Sequence, residues 1–529
     1  MINYLNSVYK KIKKHPAKIL IVLVLLLGAW LRLSYFGDYL RFNNDQARDI
    51  KVVQEMQSGN WPLLGPKAGG TTFNLGPAFY YLEFLSGLFF GFSPTGIAFF
   101  IPLLSIASIY LFYLFFRKIF SLPLALGLSL LYASSFFVIK YSRFAWNPNA
   151  IPFFLLAFFL LLSQIYNKEK LSWLDCLLLG VVTGIGVQLH TTLLILMPAM
   201  LLLTLGLMLF YKIKSDFPWT KITLLLIVIF TLNIPFVYGS LENQGENLRA
   251  FFSGAQKKTD NELSFFENLG NTATFFLQGT FYTLTGQAPK SNWLNLSKMI
   301  SLRNFQELTQ LCLSLVFIAL GFFAFWKKFL KNKKDLLSKN FSSFLLLTFS
   351  LLSFFLFVVI GGELNIRFFI ILIPIPFFLL GLIVQQFLKR NSTPKQIVAI
   401  FCFALLLGNN FFIYNKAYAL ENYQLPLSVY GGISQKELNS LCDSIKKISG
   451  ENEARIKKFE YGRSLEYICQ EKESLRISFV SESKLSQEET FFVIVNKDRK
   501  KKNIDHYKKS TRLVAEFETG RFALLVFRK

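Results

Sequence analysis

The stretch FNNDQARD, residues 42–49, contains three charged side chains within about one helical turn of one another. Asp45 and Asp49 are carboxylates, and Arg48 between them is a guanidinium. An apolar run, residues 19–36, ends just before this stretch and is long enough to span a membrane. A carboxylate at that place can take a proton from a nucleophile, and a neighbouring cation can hold a phosphate. The stretch therefore predicts chemistry at a membrane surface.

The residues that follow would fix the direction of these charges. DQARDIKVVQEMQSG has Ile50, Val53 and Met56 on one side and charge on the other, which predicts a short amphipathic helix on the outer leaflet. Gly59 would end it. The plainer alternative is that Asp45 only caps this helix and that Asp49 and Arg48 are solvated.

Composition places the whole chain in a membrane. The 529 residues are 53% hydrophobic and 17% charged, and the mean hydropathy is +0.41. Repeated apolar runs of spanning length predict an all-α polytopic membrane protein. The net charge of +25 does not indicate nucleic-acid binding, because the basic residues form short clusters between apolar runs. The basic start YKKIKKHPAK before the first run predicts an anchor helix, not a cleaved signal peptide.

Eleven spanning helices are predicted from these runs. They lie at about 19–36, 95–116, 119–139, 149–166, 171–190, 192–211, 220–238, 308–326, 341–360, 367–387 and 395–415. With a cytoplasmic N-terminus, the inner segments hold 21 Lys and Arg, against 7 in outer loops of comparable length. Counting 75–92 as a span would reverse every later loop, so this stretch is predicted to be an interfacial helix.

This topology leaves three large segments outside. They are the first outer loop, 37–94, a second one, 239–305, and a tail, 416–529. The predicted domains are a membrane domain, 1–415, and a small extracytoplasmic α/β domain formed by the tail. Cys442 and Cys469 in the tail could pair in an oxidising compartment, although their spacing alone does not decide it.

Further polar residues gather on the same side of the predicted membrane. They are Lys67 in GPKAGG, Arg143, Asn147 and Asn149 in YSRFAWNPN, His190 in VQLHTT, and Glu363 and Arg367 in GGELNIRFF. Each has a plainer interpretation, as a snorkelling anchor, a packed histidine or an i,i+4 ion pair. One carboxylate base and several cations at one interface indicate instead a reaction on a phosphate-bearing lipid.

The chain resembles the GT-C class of membrane glycosyltransferases, in particular the protein O-mannosyltransferase and aminoarabinose lipid A transferase group. The matching stretches are Asp45-Gln46-Ala47-Arg48, MQSGNWPLLGP, the aromatic GPAFYYL, YSRFAWNPN and IRFFIILIPIPFFLLG. They cover most of the membrane part, and 40–150 matches best. The resemblance implies a polyprenyl-phosphate sugar donor, transfer with inversion on the extracytoplasmic face of the plasma membrane, and a protein, lipid or glycan acceptor.

The same resemblance implies roles for single residues. Asp45 becomes the general base, and Arg48, Asp49, Lys67, Arg143 and Arg367 become candidates for holding the donor or replacing a missing family residue. Asn147, Asn149, His190 and Glu363 join them as candidate substrate contacts. The chain departs from the family at Gln46, where a Glu is common, and lacks the Lys just before the aromatic helix. Asn147 and Asn149 are poor sole ligands for a divalent ion, so metal-independent chemistry is predicted, with a divalent cation as the alternative.

Three other functions compete with this one. A transporter would carry ionisable groups near the middle of its spans, whereas most spans here have none. A polysaccharide polymerase or ligase would also use polyprenyl carriers, but it would not need an acidic motif directly after the first span. A receptor role would suit the tail and leave residues 40–149 unexplained.

Overall fold

The fold is described from a computed structural model of the chain. It describes residues 16–168, 171–211, 218–259, 263–289, 305–329, 337, 340–388, 392–418, 432–450, 453–485, 488–508 and 510–529. Several predicted features lie wholly or partly outside these ranges: the basic N-terminal segment, the loops at 167–170, 212–221, 327–339 and 388–395, the end of 239–305, and the domain boundary near 416.

Helices form most of the described chain. In the membrane part they are α1 Pro16–Leu33, α2 Asn44–Gln57, α3 Ala78–Phe90, α4 Pro94–Ala98, α5 Phe100–Arg117, α6 Leu122–Ser134, α7 Phe136–Lys140, α8 Ile151–Asn167, α9 Trp173–Gly186, α10 Thr191–Tyr211, α11 Trp219–Glu242, α12 Glu246–Thr259, α13 Phe265–Thr285, α14 Phe305–Phe329, α15 Phe341–Val359, α16 Pro374–Leu388 and α17 Thr393–Tyr418. Short 3₁₀ turns occupy Asn147–Ala150, Gly361–Glu363 and Ile366–Leu372.

Length and hydropathy identify eight helical spans among the described residues. A ninth forms if Ile366–Leu372 and α16, which meet at 60°, count as one broken span. The remaining two of the eleven predicted spans, 119–139 and 171–190, contain the shorter apolar helices α6 and α9. In the segment 119–139 the helix is interrupted at Ser135, whose ψ of 118° is not helical, before α7 begins. The prediction of a polytopic all-α membrane protein is confirmed.

The segment 239–305, predicted only as a large outer loop, contains the two helices α12 and α13 in its described residues. The second of them, α13, packs on the bundle: Thr272 donates to the Phe357 carbonyl at 3.2 Å, near the end of α15. At its other end the Leu284 carbonyl accepts from Asn410 of α17 at 2.8 Å. The buried side of α13 includes Asn268, Asn271 and Gln278. These polar residues dilute the apolar pattern by which a packed helix is recognised in a sequence.

The first outer loop forms the two predicted interfacial helices, α2 and α3. At 13 residues α3 is about 20 Å long, which is short of the roughly 30 Å of a bilayer core. On α2, Ile50 and Val53 are fully buried, but they contact the C-terminal domain in one hydrophobic cluster. The apolar face of the amphipathic helix α2 is therefore covered by protein.

The C-terminal domain is the predicted α/β unit. Its elements are α18 Gln435–Ser449, β1 Glu453–Lys457, α19 Gly462–Glu473, β2 Arg476–Val480, α20 Glu482–Leu485, β3 Thr490–Asn496, α21 Lys500–Tyr507, β4 Arg512–Thr519 and β5 Phe522–Arg528. The sheet order is β2-β1-β3-β5-β4. The strands β4 and β5 form a hairpin that turns at Gly520, whose φ of 53° is left-handed and suits glycine.

Backbone hydrogen bonds attach this domain to the first outer loop. Phe42 donates to the Ile433 carbonyl at 3.0 Å, and Gln435 donates to the Leu40 carbonyl at 2.8 Å. Asn44 at the start of α2 donates to the Glu460 carbonyl at 2.7 Å. Cys442 of α18 and Cys469 of α19 form a disulfide, as the sequence allowed. The domain therefore fixes the direction of α2.

Candidate active site

A cavity of about 250 Å³ opens where the first outer loop meets the ends of several bundle helices. Six predicted site residues line it: Asp45, Arg48, Lys67, Asn147, His190 and Arg367. Of the acidic side chains in the described part of the chain, only Asp45 is in this lining. The cavity is therefore a mainly cationic site with one carboxylate at its edge.

Asp45 lies in the first turn of α2, and its side chain is 57% exposed. The helix is capped by other residues, because Asn43 is the N-cap and its backbone N–H donates to Gln46 Oε1 at 3.0 Å. Gln46 Nε2 in turn donates to the Ala145 carbonyl at 2.6 Å. The cap interpretation of Asp45 is therefore wrong, and its carboxylate is available to the cavity. A Glu at position 46 could not donate to Ala145 when ionised, which explains the departure from the family pattern.

Arg48 joins the two acids of the motif. Its Nη1 lies 3.5 Å from Asp45 Oδ1, and its Nη2 lies 2.7 Å from Asp49 Oδ1. Asp49 lies on the buried face of α2. Burial raises the pKa of Asp49 to about 6, although Arg48 and a hydrogen bond from Tyr80 oppose the rise. Asp49 does not line the cavity. Its position identifies it as the residue that holds Arg48, with Asp45 as the exposed acid.

The cations come from three separate parts of the chain. Lys67 lies in a tight turn in which the Ala68 N–H bonds the Phe73 carbonyl at 2.8 Å. Lys258 of α12 donates to the Gly69 carbonyl at 3.0 Å in the same turn. Arg367 is also close, since a Cβ added to Gly69 would lie 3.8 Å from its Nη2. Lys258, Lys67 and Arg367 therefore meet around one glycine-containing turn, which suits a phosphate.

His190 adds a neutral polar group. Its Nδ1 accepts from the Thr192 N–H at 3.2 Å, so the other ring nitrogen, Nε2, carries the hydrogen of the neutral ring. Burial, together with the charges of Lys258 and Arg367, lowers the pKa of His190 to about 3. At neutral pH the ring is a hydrogen-bond donor to a ligand and not a cation.

Three other predicted residues lie outside the cavity lining. Arg143 is 1% exposed, and it donates to the carbonyls of Leu31, Arg32 and Ser34 at 2.6–2.9 Å. These are carbonyls at the end of α1 that have no partner in the helix. The placement does not support a phosphate contact for Arg143, which instead holds the end of α1.

Asn149 and Glu363 also contribute indirectly at most. Asn149 is buried, and its Nδ2 donates to the Phe144 carbonyl at 2.9 Å. Glu363 is exposed. Burial lowers the pKa of Lys258, the Glu363 carboxylate opposes that shift, and Arg367 adds to it. Glu363 therefore balances the charge of Lys258 and does not pair with Arg367 in any described contact.

Lys258 and Trp146 are among the residues of the lining that sequence reasoning missed. Trp146 lies inside the stretch YSRFAWNPN, and its ring lies 5.3 Å from Arg367 Cζ. Lys258 belongs to the amphipathic α12, ENLRAFFSGAQKKT. Helical periodicity in this segment was the available signal, but nothing in the pattern placed its basic end beside residue 69.

An apolar groove of about 160 Å³ adjoins the cavity. The two share Thr71, Thr191, Thr192, Lys258 and Ile360. The groove continues along Phe73, Ile195, Phe251, Leu356 and Val359. Ile195 belongs to α10, and Leu356 and Val359 belong to α15, both of which have spanning length. The site thus combines the cationic cavity with an apolar groove that begins between two helices of spanning length.

No group of three His, Cys, Asp or Glu side chains that could hold a metal ion occurs in the described ranges. The cavity offers Asp45 and Asn147, and the Asn147 amide already donates to the Leu189 carbonyl at 2.7 Å. This donor set is poor for Mg²⁺ or Mn²⁺. Metal independence stays a prediction.

Comparison with known proteins gives a family match over part of the chain and a fold over nearly all of it. The model of the dolichyl-phosphate-mannose-protein mannosyltransferase family matches residues 74–235. ArnT from Cupriavidus metallidurans, solved bound to undecaprenyl phosphate, superposes with a TM-score of 0.52 over 97% of this chain and 98% of its own, at 12% identity. The chain has the GT-C fold. The resemblance proposed from the sequence is therefore confirmed.

A second GT-C structure agrees. The oligosaccharyltransferase AglB from Archaeoglobus fulgidus, in complex with an inhibitory peptide and a dolichol-phosphate, superposes with a TM-score of 0.52 at 13% identity. The match covers 87% of this chain but only 64% of AglB, so the chain spans less than two thirds of that relative. No curated protein sequence matches the chain.

The family match and the cavity geometry cover different residues of the candidate site. Residues 74–235 include Trp146, Asn147 and His190. They do not include Asp45, Lys67 or Arg367. The assignment of these three residues therefore depends on their positions around the cavity.

Proposed function

We propose that this chain is a membrane glycosyltransferase that moves a sugar from a polyprenyl-phosphate donor to an acceptor hydroxyl or similar group. The observation that carries the proposal is the junction of the cationic cavity with the apolar groove. A polyprenyl phosphate has the same two parts, an anionic head and a long apolar tail. Lipid-phosphate ligands in the GT-C structures of ArnT and AglB support this match.

The proposed step is a direct displacement with inversion. The acceptor oxygen attacks the anomeric carbon while Asp45 takes the acceptor proton. The bond between the anomeric carbon and the phosphate oxygen breaks, and its electron pair stays on the polyprenyl phosphate. Lys67, Lys258 and Arg367 stabilise the charge that develops on this leaving group. Asp49 holds Arg48 in position beside Asp45, and the step requires no metal ion.

The cellular test compares lipid-linked sugars and surface glycans by mass spectrometry, with and without this protein. We expect its loss to cause one polyprenyl-phosphate-linked sugar to accumulate and one glycan, protein or lipid modification to disappear. The pair of changes would also identify the sugar and the acceptor. Unchanged lipid-linked sugars and unchanged surface glycans would contradict the proposal.

We also propose that the chain lies in the plasma membrane and that the site faces away from the cytoplasm. The N-terminus is then cytoplasmic and the C-terminus extracytoplasmic. The uneven distribution of Lys and Arg supports this orientation. A membrane-impermeant thiol reagent should label Lys502→Cys in intact cells, and it should label Asn167→Cys only after lysis. Both positions are exposed. If Asn167→Cys alone is labelled in intact cells, the proposed orientation is wrong and the chain has the opposite one.

A further inference from the structure

The net positive charge of the C-terminal domain comes from one short segment. Residues 497–512 contain eight Lys and Arg and two Asp, whereas the remainder of 432–529 contains thirteen basic and thirteen acidic residues. The segment includes a 3₁₀ turn, the helix α21 and the first residue of β4. Five of its cations are exposed and form no ion pair with a described residue: Arg499, Lys501, Lys502, Lys508 and Arg512. These five residues are called the α21 patch below.

Two further Lys of the same segment have acidic partners on β4, the edge strand of the sheet. Lys497 Nζ lies 3.2 Å from Glu518 Oε2, and Lys500 pairs with both Glu516 and Glu518. The nearby acids of β4 are therefore already paired with other cations. The two Asp of the segment offset only part of the five remaining charges, so the α21 patch keeps a positive charge.

The sheet separates the α21 patch from the membrane domain. Successive residues of a strand point to opposite faces of the sheet. Phe491 and Phe527 pack with Tyr507 of α21 on one face. Phe492 and Val526 belong to the cluster on the other face, which contains α18, α19 and the buried side of α2. The helix α21 therefore lies on the face that is directed away from α2, with the sheet and a layer of helices in between.

This position selects among the possible partners of a basic surface. The bilayer that holds the spans lies on the α2 side of the domain, so the α21 patch does not face it. Protein interfaces are enriched in aromatic residues and depleted of Lys, whereas Tyr507, the one Phe, Tyr or Trp in residues 497–512, is buried. An extended polyanion needs only a row of exposed cations, and its binding is favoured by the release of counterions.

We propose that the α21 patch binds an anionic polysaccharide of the cell envelope, an inference that rests on the proposed orientation and not on the chemistry of the cavity. The repeated carboxylate or phosphate groups of such a polymer lie along α21 and the start of β4, where they pair with several Lys and Arg at once. Each contact is weak because the side chains are exposed, and the number of contacts supplies the affinity. Binding holds the C-terminal domain against the polymer and leaves the cavity open to its substrates.

Binding of fluorescent polymers to the full chain in nanodiscs of zwitterionic lipid tests this inference. The probes are polygalacturonate, which carries carboxylates, and polyphosphate, with neutral dextran as the blank. We expect at least one polyanion to bind at about 0.1 M salt and dextran not to bind. The triple variant Lys501→Gln, Lys502→Gln, Lys508→Gln should weaken this binding by about ten- to a hundredfold. The slope of log affinity against log salt concentration should become less steep by about two to three.

The matched control removes three exposed charges from α18 and α19, on the other side of the sheet: Lys436→Gln, Lys447→Gln and Arg463→Gln. It should bind both polymers nearly as the wild type does. Both triple variants should unfold at about the wild-type temperature, because substitutions of exposed side chains change stability little.

Three results would overturn the inference. They are binding of neither polyanion by the wild type, equal losses of binding in the two triple variants, and binding of the wild type to anionic lipid vesicles but to neither polymer. Undecaprenyl phosphate should bind both triple variants as it binds the wild type, since the α21 patch is remote from the cavity. Failure of undecaprenyl phosphate to bind the wild type, with polyanion binding intact, would instead reject the proposed donor.

Discussion

Asp45→Asn is expected to slow sugar transfer by about a hundred- to ten-thousandfold, because it removes the proposed general base. The variant should fold normally, since the Asp45 side chain is largely exposed and Asn43, not Asp45, caps α2. The measurement is the turnover of purified enzyme with its lipid-linked donor, beside thermal unfolding. Substrate affinities should change much less than turnover.

Two controls make this result specific. Asn43→Ala removes the actual N-cap and should cost about 1 kcal/mol of stability with little effect on turnover. Asp49→Asn removes the partner of Arg48 and should slow transfer less than Asp45→Asn does. If Asp45→Asn turns over normally and Asp49→Asn is inactive, the base is Asp49 and the proposed mechanism is wrong by one helical turn.

Lys67→Met and Arg367→Gln are expected to raise the KM for the polyprenyl-phosphate donor by about ten- to a hundredfold each. Each substitution removes a charge-assisted contact of about 1.5–3 kcal/mol to the phosphate. Steady-state kinetics at varied donor concentration measure the effect. Arg367→Lys should recover activity only in part, because an ammonium cannot reproduce a bidentate contact.

Arg143→Gln is the matched control for these cations. Arg143 also follows a span on the same side of the predicted membrane, but it binds the carbonyls at the end of α1. Its replacement should lower the unfolding temperature and leave the donor KM of the remaining folded enzyme unchanged. A stable Arg143→Gln enzyme with a raised donor KM would restore Arg143 to the phosphate site.

The sequence by itself determined the polytopic all-α architecture, and it predicts one face of the membrane for the candidate polar residues. Apolar runs of spanning length report directly on the bilayer, because a helix in lipid must be apolar along its whole length. The cluster Asp45-Arg48-Asp49 is local, so its spacing along one helix could be predicted without any tertiary contact. The α/β tail follows from equally local patterns, whereas the interfacial assignment of 75–92 depended on the count of Lys and Arg in all the loops.

Only the tertiary structure decided which of the polar residues form a site. Arg143 and Arg367 look alike in the sequence, yet one lies against backbone carbonyls and the other against the cavity. Lys258 joins Lys67 from almost two hundred residues away, through contacts of α12 with the turn at Gly69. Gln46 appeared to be a missing acid, but its amide links Asn43 to Ala145. These outcomes depend on long-range packing and on which carbonyls lack a partner, and neither is encoded in the local spacing of residues.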